Sequence, residues 1–295
     1  MSLSMRFAIL AFVAVFASPS FAADPDWSQV GKALGKEGAL QPGGIYKVSL
    51  PRGDLHVTLD GVALKPGFAL GSWLGFAPMG SQAMVMGDLV LTQEEINPVM
   101  KKFEEEGIAI TALHNHLLRS QPVTMYMHIF GEGDPVQLAQ ALRAGLVLSK
   151  TPLGGSATSA PSSQITLDKA AIDQIMGAEG KVSGGVLQYS ISRKDKIEER
   201  GMAVPPSLGT AIGINFQPTG GRRAAITGDF VLTAEEVNPV AAALRENGIE
   251  VTALHSHMLD EQPRLFFMHF WANADSQKLA KGLRAALDKV NVSRG

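Results

Sequence analysis

The 295-residue chain contains no cysteine. Disulfides, thiolate metal sites and a lipid-modified cysteine are therefore excluded, and the fold must rest on its core alone. An excess of one charge is also missing, since 26 Lys and Arg stand against 28 Asp and Glu for a net charge of −2. Without a basic field, nucleic acid is not an expected partner. The chain has no GxSxG, P-loop, GxGxxG or HExxH pattern. A nucleophilic hydrolase or nucleotide enzyme would therefore have to work without a motif. Beyond the first two dozen residues no run is long and apolar enough for a transmembrane helix.

Those first residues read "MSLSMRFAILAFVAVFASPSFAAD". Arg6 supplies a positive start, Phe7 to Ala17 is a short apolar run, and Ser20-Phe21-Ala22 is a small-x-small cleavage site. This pattern predicts a signal peptide over 1–22, export to the periplasm or medium, and no stable membrane insertion after cleavage. The whole chain is 45% hydrophobic and 18% charged, the composition of a globular protein, and is long enough for two domains.

The sequence superimposes on itself. "GDLVLTQEEINPV" from Gly87 falls on "GDFVLTAEEVNPV" from Gly228, and "GIAITALHNHLL" from Gly107 falls on "GIEVTALHSHML" from Gly248. The match continues through "QPVTMYMHIF" and "QPRLFFMHFW", and weakens upstream, where "GFAPMG" meets "NFQPTGG" only across a one-residue gap. So long a period indicates domain-sized units rather than a solenoid. The expected domains are a first repeat at 26–150, a Gly/Ser/Pro-rich linker at 151–163 and a second repeat at 164–290.

Within one repeat, residues 27–35 read as a helix, and 45–50, 55–60 and 84–91 as strands. Thr92 with Glu95 forms a capping-box pattern. Asn97-Pro98 then predicts that the helix proper starts there. A strand over 108–118, a turn carrying Gln121-Pro122, a return strand over 123–130 and a helix after Asp134-Pro135 complete the unit. The order β-α-β-β-α implies an α+β fold: two tandem homologous domains, each a mixed sheet with helices packed on it.

Six of the seven histidines fall in two matched sets: His114, His116 and His128, then His255, His257 and His269. Strand alternation places His114 and His116 on one face, together with Ile108, Ile110 and Ala112. A hairpin register brings His128 opposite or diagonal to His114. Asp88 and Asp229 lie on the preceding strands, toward the same sheet edge. Imidazoles aimed one way with a carboxylate nearby suit Zn²⁺ or another divalent transition metal. Met84, Met86 and Met125 become Ala225, Thr227 and Phe266, which gives no copper(I) site common to both repeats. Affinity should fall below about pH 6 as imidazoles protonate. Glu94, Glu95, Glu235 and Glu236 are candidate bases, or else serve the helix dipole.

The segments "MGDLVLTQEEINPVM", "TALHNHLL", "MYMH" and "TALHSHML" with "EQPRLFFMHFWAN" resemble the exported bacterial family of unknown function typified by the lipoproteins LppY and LpqO. The resemblance covers both repeats. It implies export and paired His-rich units, and it brings no activity. The missing lipid-attachment cysteine implies a soluble member. Two alternatives to metal binding stand beside it: a metal-dependent hydrolase with Asp88 or Glu95 as base, and an envelope or small-polar-ligand protein whose histidines are structural.

Overall fold

A computed structural model describes residues 25–154 and 164–293. The expected signal peptide and most of the expected linker lie outside the described residues. The first repeat runs α1 (Trp27–Leu34), β1 (Ala39–Gln41), β2 (Ile45–Pro51), β3 (Thr58–Leu59), β4 (Val62–Ala63), α2 (Pro66–Ala69), β5 (Gly71–Met79), β6 (Gln82–Thr92), α3 (Gln93–Glu105), β7 (Ala109–His114), β8 (Thr124–Gly133) and α4 (Pro135–Leu146). The second runs α5 (Lys169–Met176), β9 (Lys181–Ser183), β10 (Val186–Ser192), β11 (Glu198–Glu199), β12 (Met202–Ala203), β13 (Ala211–Gly220), β14 (Arg223–Leu232), α6 (Ala234–Glu246), β15 (Glu250–His255), β16 (Glu261–Gln262), β17 (Phe266–Asp275) and α7 (Ser276–Leu287). The protein is thus an α+β duplication.

Each repeat builds a six-stranded sheet, in the orders β1-β2-β5-β6-β8-β7 and β15-β17-β14-β13-β10-β9. Both β6 and β7 pair antiparallel with β8. The β6-α3-β7 crossover therefore makes two parallel strands with β8 inserted between them. One face of the first sheet, with Val85, Leu89 and Leu91, shares a core with Val99 and Phe103 of α3 and Leu138 and Leu142 of α4. The opposite face packs on the other repeat. Met84, Met86 and Phe130 join the core of the second repeat, and Val90 and Tyr126 cluster with Ala225 and Trp271. Two sheets therefore meet face to face, with helices on the outside.

Several sequence expectations shift. The 55–60 segment is only briefly a strand. Residues 54–70 form an arm whose carbonyls at Ala63, Gly67 and Phe68 accept from Gln217, Gln188 and Asn215 of the other sheet. The second repeat returns the gesture: the carbonyl of Ser207, in its own arm, accepts from Lys47 Nζ at 2.8 Å. Gln121-Pro122 and Gln262-Pro263 are more than turn chemistry, because Gln121 bridges to Thr58 and Gln262 pairs with Glu198, tying each arm to its own repeat. Arg119 spans the join, donating to Asp60 of its own repeat and to Glu250 of the other.

Helix α3 begins at Gln93, not at Asn97-Pro98, and Pro98 lies inside it. The capping box wins because Glu95 is anchored from four sides. It accepts from Thr92 N and Lys150 N, and from Nη1 and Nη2 of the fully buried Arg52. Burial raises the Glu95 carboxyl, but Arg52 and the backbone N–H groups hold it below the usual carboxylate range. Arg52 also donates to Asp54 and to the Val90 carbonyl. Arg193 repeats the set with Asp195, Glu236 and Val231. Glu95 and Glu236 are thereby committed to structure and excluded as the general bases considered above.

Removing one member of such a pair leaves a buried charge without its partner. Arg52→Met is expected to cost about 3–5 kcal/mol in denaturant unfolding. Lys101→Met, which breaks an exposed pair with Glu105 on the same helix, is expected to leave the midpoint unchanged. Equal midpoints for the two variants would refute the anchoring role.

Candidate metal centre

The hairpin β7-β8 places its histidines by a local irregularity. The ladder pairs Ile110 with Ile129 but Ala112 with His128, so Thr111 is an extra, bulged residue. A bulge shifts the alternation by one. Ile108 and Ile110 therefore join the helix-covered core, while Ala112 and His114 turn to the face that meets the other repeat. This corrects the expectation that Ile108, Ile110 and the histidines share one face. Thr252 is the matching bulge in β15. His116 and His257 lie just past the strand ends rather than on the strands.

The registers place His128 beside Asp88 and diagonal to His114, and His269 beside Asp229. What the sequence could not show is that the two sets converge. The ring centroids of His114 and His255 are 3.5 Å apart. Those of His128 and His257 are 3.7 Å apart, and those of His116 and His269 are 3.6 Å apart. Exchanging the repeats maps the second pair onto the third, so the six rings obey a local two-fold with His114 and His255 at its centre. Tyr126 stacks on His116 and Phe267 on His257, closing the two ends of the stack. The chain joins the halves by hydrogen bonds as well: Thr252 Oγ1 donates to the His116 carbonyl, and Asn115 Nδ2 to the Thr252 carbonyl. The seventh histidine, His56, is exposed and apart.

Burial governs the chemistry of the cluster. His114 is pushed down to about 4 by burial, partly offset by the Asn115 carbonyl. His269 is pushed down to about 3 by burial and then by the nearby His114, with the Gly228 carbonyl opposing. His116, His128, His255 and His257 also fall well below the ordinary range, from burial first and neighbouring imidazoles second. The Asp88 carboxyl rises to about 7 through burial, with the Lys47 ammonium opposing. Asp229 rises too, from burial and then from Asp88. Neutral imidazoles are the form that binds a metal, and a cation would reverse the rise of both carboxyls.

Hydrogen bonds set part of the tautomer pattern. His114 Nδ1 donates to the Asn115 carbonyl at 3.2 Å and His269 Nδ1 to the Gly228 carbonyl at 2.8 Å, which leaves each Nε2 with its lone pair free. His255 Nε2 and His257 Nε2 share a hydrogen bond at 2.9 Å. Nε2 of His114, His116, His128 and His269, Nδ1 of His255, and Oδ1 of Asp88 and Asp229 are buried and find no partner among the described residues. Each such atom costs about 1–3 kcal/mol if left so. Three groupings bring ligand atoms within 4.8 Å of one another: His114, His116 and His128; His114, His255 and His257; and Asp229, His257 and His269. The second draws on both repeats, and His114 and His257 each serve two groupings. Asp88 stands beside them, 3.8 Å from His128 Nε2.

Sequence reasoning missed Lys47, whose ammonium lies over the Trp73 ring and acts on Asp88. It also missed Trp73, Asn115 and Thr252. Trp73 had a signal: it breaks the repeat once the one-residue gap is placed. Lys47 had none, because only the sheet brings it near Asp88.

A family model described as Domain of Unknown Function (DUF1259) matches residues 28–147 and again 170–289. No curated protein matches the chain. The crystal structure of a trimeric bacterial microcompartment shell protein, PduB, aligns with 88% of this chain and 96% of its own at 13% identity. Its TM-score of 0.24 is too low to carry an argument.

The depressed histidines make metal-free stability depend on pH. Between about 4 and 6.5 the unfolded chain binds protons that the folded cluster refuses, so stability rises with pH in that window and is lost on acidification. The two raised carboxyls act in the opposite sense, from 3.8 up to about 7 in the case of Asp88, but they are two against six. Chelator-stripped protein should therefore melt at a lower temperature at about pH 4.5 than at about pH 7. A melting temperature that is flat or rises toward acid would contradict the buried neutral cluster.

Proposed function

The chain belongs to that family, in which the domain has no assigned function, and we propose that its two copies together form one composite centre for a divalent transition metal of the zinc type. One observation carries the reading: seven buried ligand atoms from both repeats lack partners among the described residues, and most belong to residues that fall in three overlapping groupings. A metal ion satisfies several of them at once, where isolated structural histidines would each need a carbonyl or hydroxyl. Neutral imidazoles with one or two carboxylates suit Zn²⁺ and also Mn²⁺ or Fe²⁺. Two ionised aspartates balance one divalent charge.

The reading extends to location. The first 22 residues have the form of a signal peptide, and no helix among the described residues is long and apolar enough to cross a membrane. We place the protein in the periplasm or outside the cell, as a cysteine-free relative of the LppY and LpqO lipoproteins. Its partner is the metal ion, with a small polar ligand as the alternative occupant.

Elemental analysis of protein purified without chelators should find a divalent transition metal, and Zn²⁺ added to stripped protein should raise its melting temperature. His255→Ala, in the second repeat alone, should weaken all of the bound metal, because His255 shares a ligand set with His114. Half the metal retained at undiminished affinity would indicate two separate sites. No metal at any stoichiometry, with His114→Ala merely lowering stability, would leave the histidines as packing and defeat the proposal.

A further inference from the structure

The local two-fold of the histidine stack breaks at its two mouths. Trp73 pairs with Asp88 across β5 and β6, and Gly213 pairs with Asp229 across β13 and β14. The two positions are equivalent, yet one carries the largest side chain and the other carries none. On the Asp88 side, Trp73, Leu208 and Met86 close over His128 and His257, leaving a void of about 10 Å³. That is room for one water at most. The plug is itself held. Lys47 Nζ sits 4.2 Å from the Trp73 ring centroid and donates to Ser207 in the arm of the other repeat. Gly209 lies so close to the indole that a Cβ there would stand 3.1 Å from it.

The Asp229 side is open. A Cβ added at Gly213 would meet no atom within 4 Å. Gly213 borders a cleft of about 790 Å³ that reaches His116, His269, Asp229 and Asp88. His116, His269 and Asp229 therefore line a space that solutes can enter, with their unpartnered Nε2 and Oδ1 atoms buried beneath its surface. Of their counterparts, His257 and His128 lie away from it, and only Asp88 also lines the cleft. Tyr126 walls this cleft, with its hydroxyl held by the Ala69 carbonyl at 2.6 Å.

Charge selects the class of visitor. The charged residues of the cleft are Lys65, Asp88 and Asp229. Once both carboxylates balance the cation, the charge left to greet a solute is the Lys65 ammonium at the rim. Resting on the metal-binding reading above, we propose that the centre exchanges ligands through this mouth alone. The path runs past Gly213, and it delivers small anionic donors to the metal. Trp73 seals the equivalent route to His128 and His257. A site with one exchangeable position is the arrangement of reactive metal centres, and a closed one is that of structural centres.

Cobalt(II) and azide make the test. Cobalt(II) accepts the same nitrogen and oxygen donors as zinc and reports its ligands by visible absorption. Protein loaded with cobalt should show bands that shift saturably as azide is added. Gly213→Trp, which copies the plug of the other repeat, should keep the full cobalt stoichiometry while its apparent azide affinity falls by about tenfold or more. Gly213→Val, which suits a strand, should fall in the same direction and stands in if the tryptophan variant does not fold. Trp73→Phe should leave the azide response unchanged. Cobalt bound without any azide response, or an unaltered response in the folded Gly213 variants, would overturn the one-mouth proposal and leave metal binding intact. Failure to bind cobalt or zinc at all would overturn both.

Discussion

Six imidazoles and two carboxylates are buried or half-buried between two sheets, and this constraint shapes the join. Apolar side chains alone would have made a simpler interface. Instead the faces that meet carry His114, His128 and Asp88 from one sheet and His255, His269 and Asp229 from the other. Burying such groups is unfavourable unless each finds a partner or stays neutral. The protein does some of both. Burial drives the rings to the neutral form, carbonyls of Asn115 and Gly228 take two of the ring protons, and the remaining lone pairs are left pointing inward. The surroundings hold that arrangement rigidly. Tyr126 and Phe267 cap the stack, and the Arg52 and Arg193 ion-pair sets pin the helices behind each sheet.

Duplication explains how one chain comes to hold such a centre. Each repeat offers half of it on an open sheet face and could not bury that face by itself. The arms at 54–70 and 195–209 then cross to the opposite sheet and hold the halves together. Divergence has worked on the rim. Met84 and Met86 face Ala225 and Thr227 in the alignment, Tyr126 becomes Phe267, and Trp73 stands where Gly213 leaves space. The pair Asp60 and Arg119 returns as Arg200 and Asp260 with the charges exchanged, so a contact was kept while its polarity was not. Such changes leave the histidines matched and make the two sides of the centre unequal.

The elements that were legible in the sequence are those with strong local signals. Thr92 and Glu95 carry a capping box, Asp134-Pro135 marks a helix start, and Leu138, Leu142 and Leu146 have the spacing of a buried face. The elements misread are those where a distant residue outweighs a local signal. Pro98 reads as a helix start until Arg52, 43 residues before Glu95, is seen to anchor that carboxylate. Residues 55–60 alternate like a strand of the main sheet, but their partners are the short β4 of the same arm, the Gln121 backbone and the other repeat. The bulge at Thr111 has no signature in its neighbours, and it alone decides which face the histidines take.

The repeat, the α+β class and the identity of the eight candidate ligands are properties of the sequence itself, because residue type, spacing and periodicity are local quantities. That the two histidine sets make a single centre, that Lys47 acts on Asp88, and that one side is plugged by Trp73 while the other opens past Gly213 were decided only in three dimensions. The reason is physical. Those outcomes depend on how two sheets stack across more than a hundred residues of intervening chain, and contact between surfaces is set by their shape and by what they must bury together.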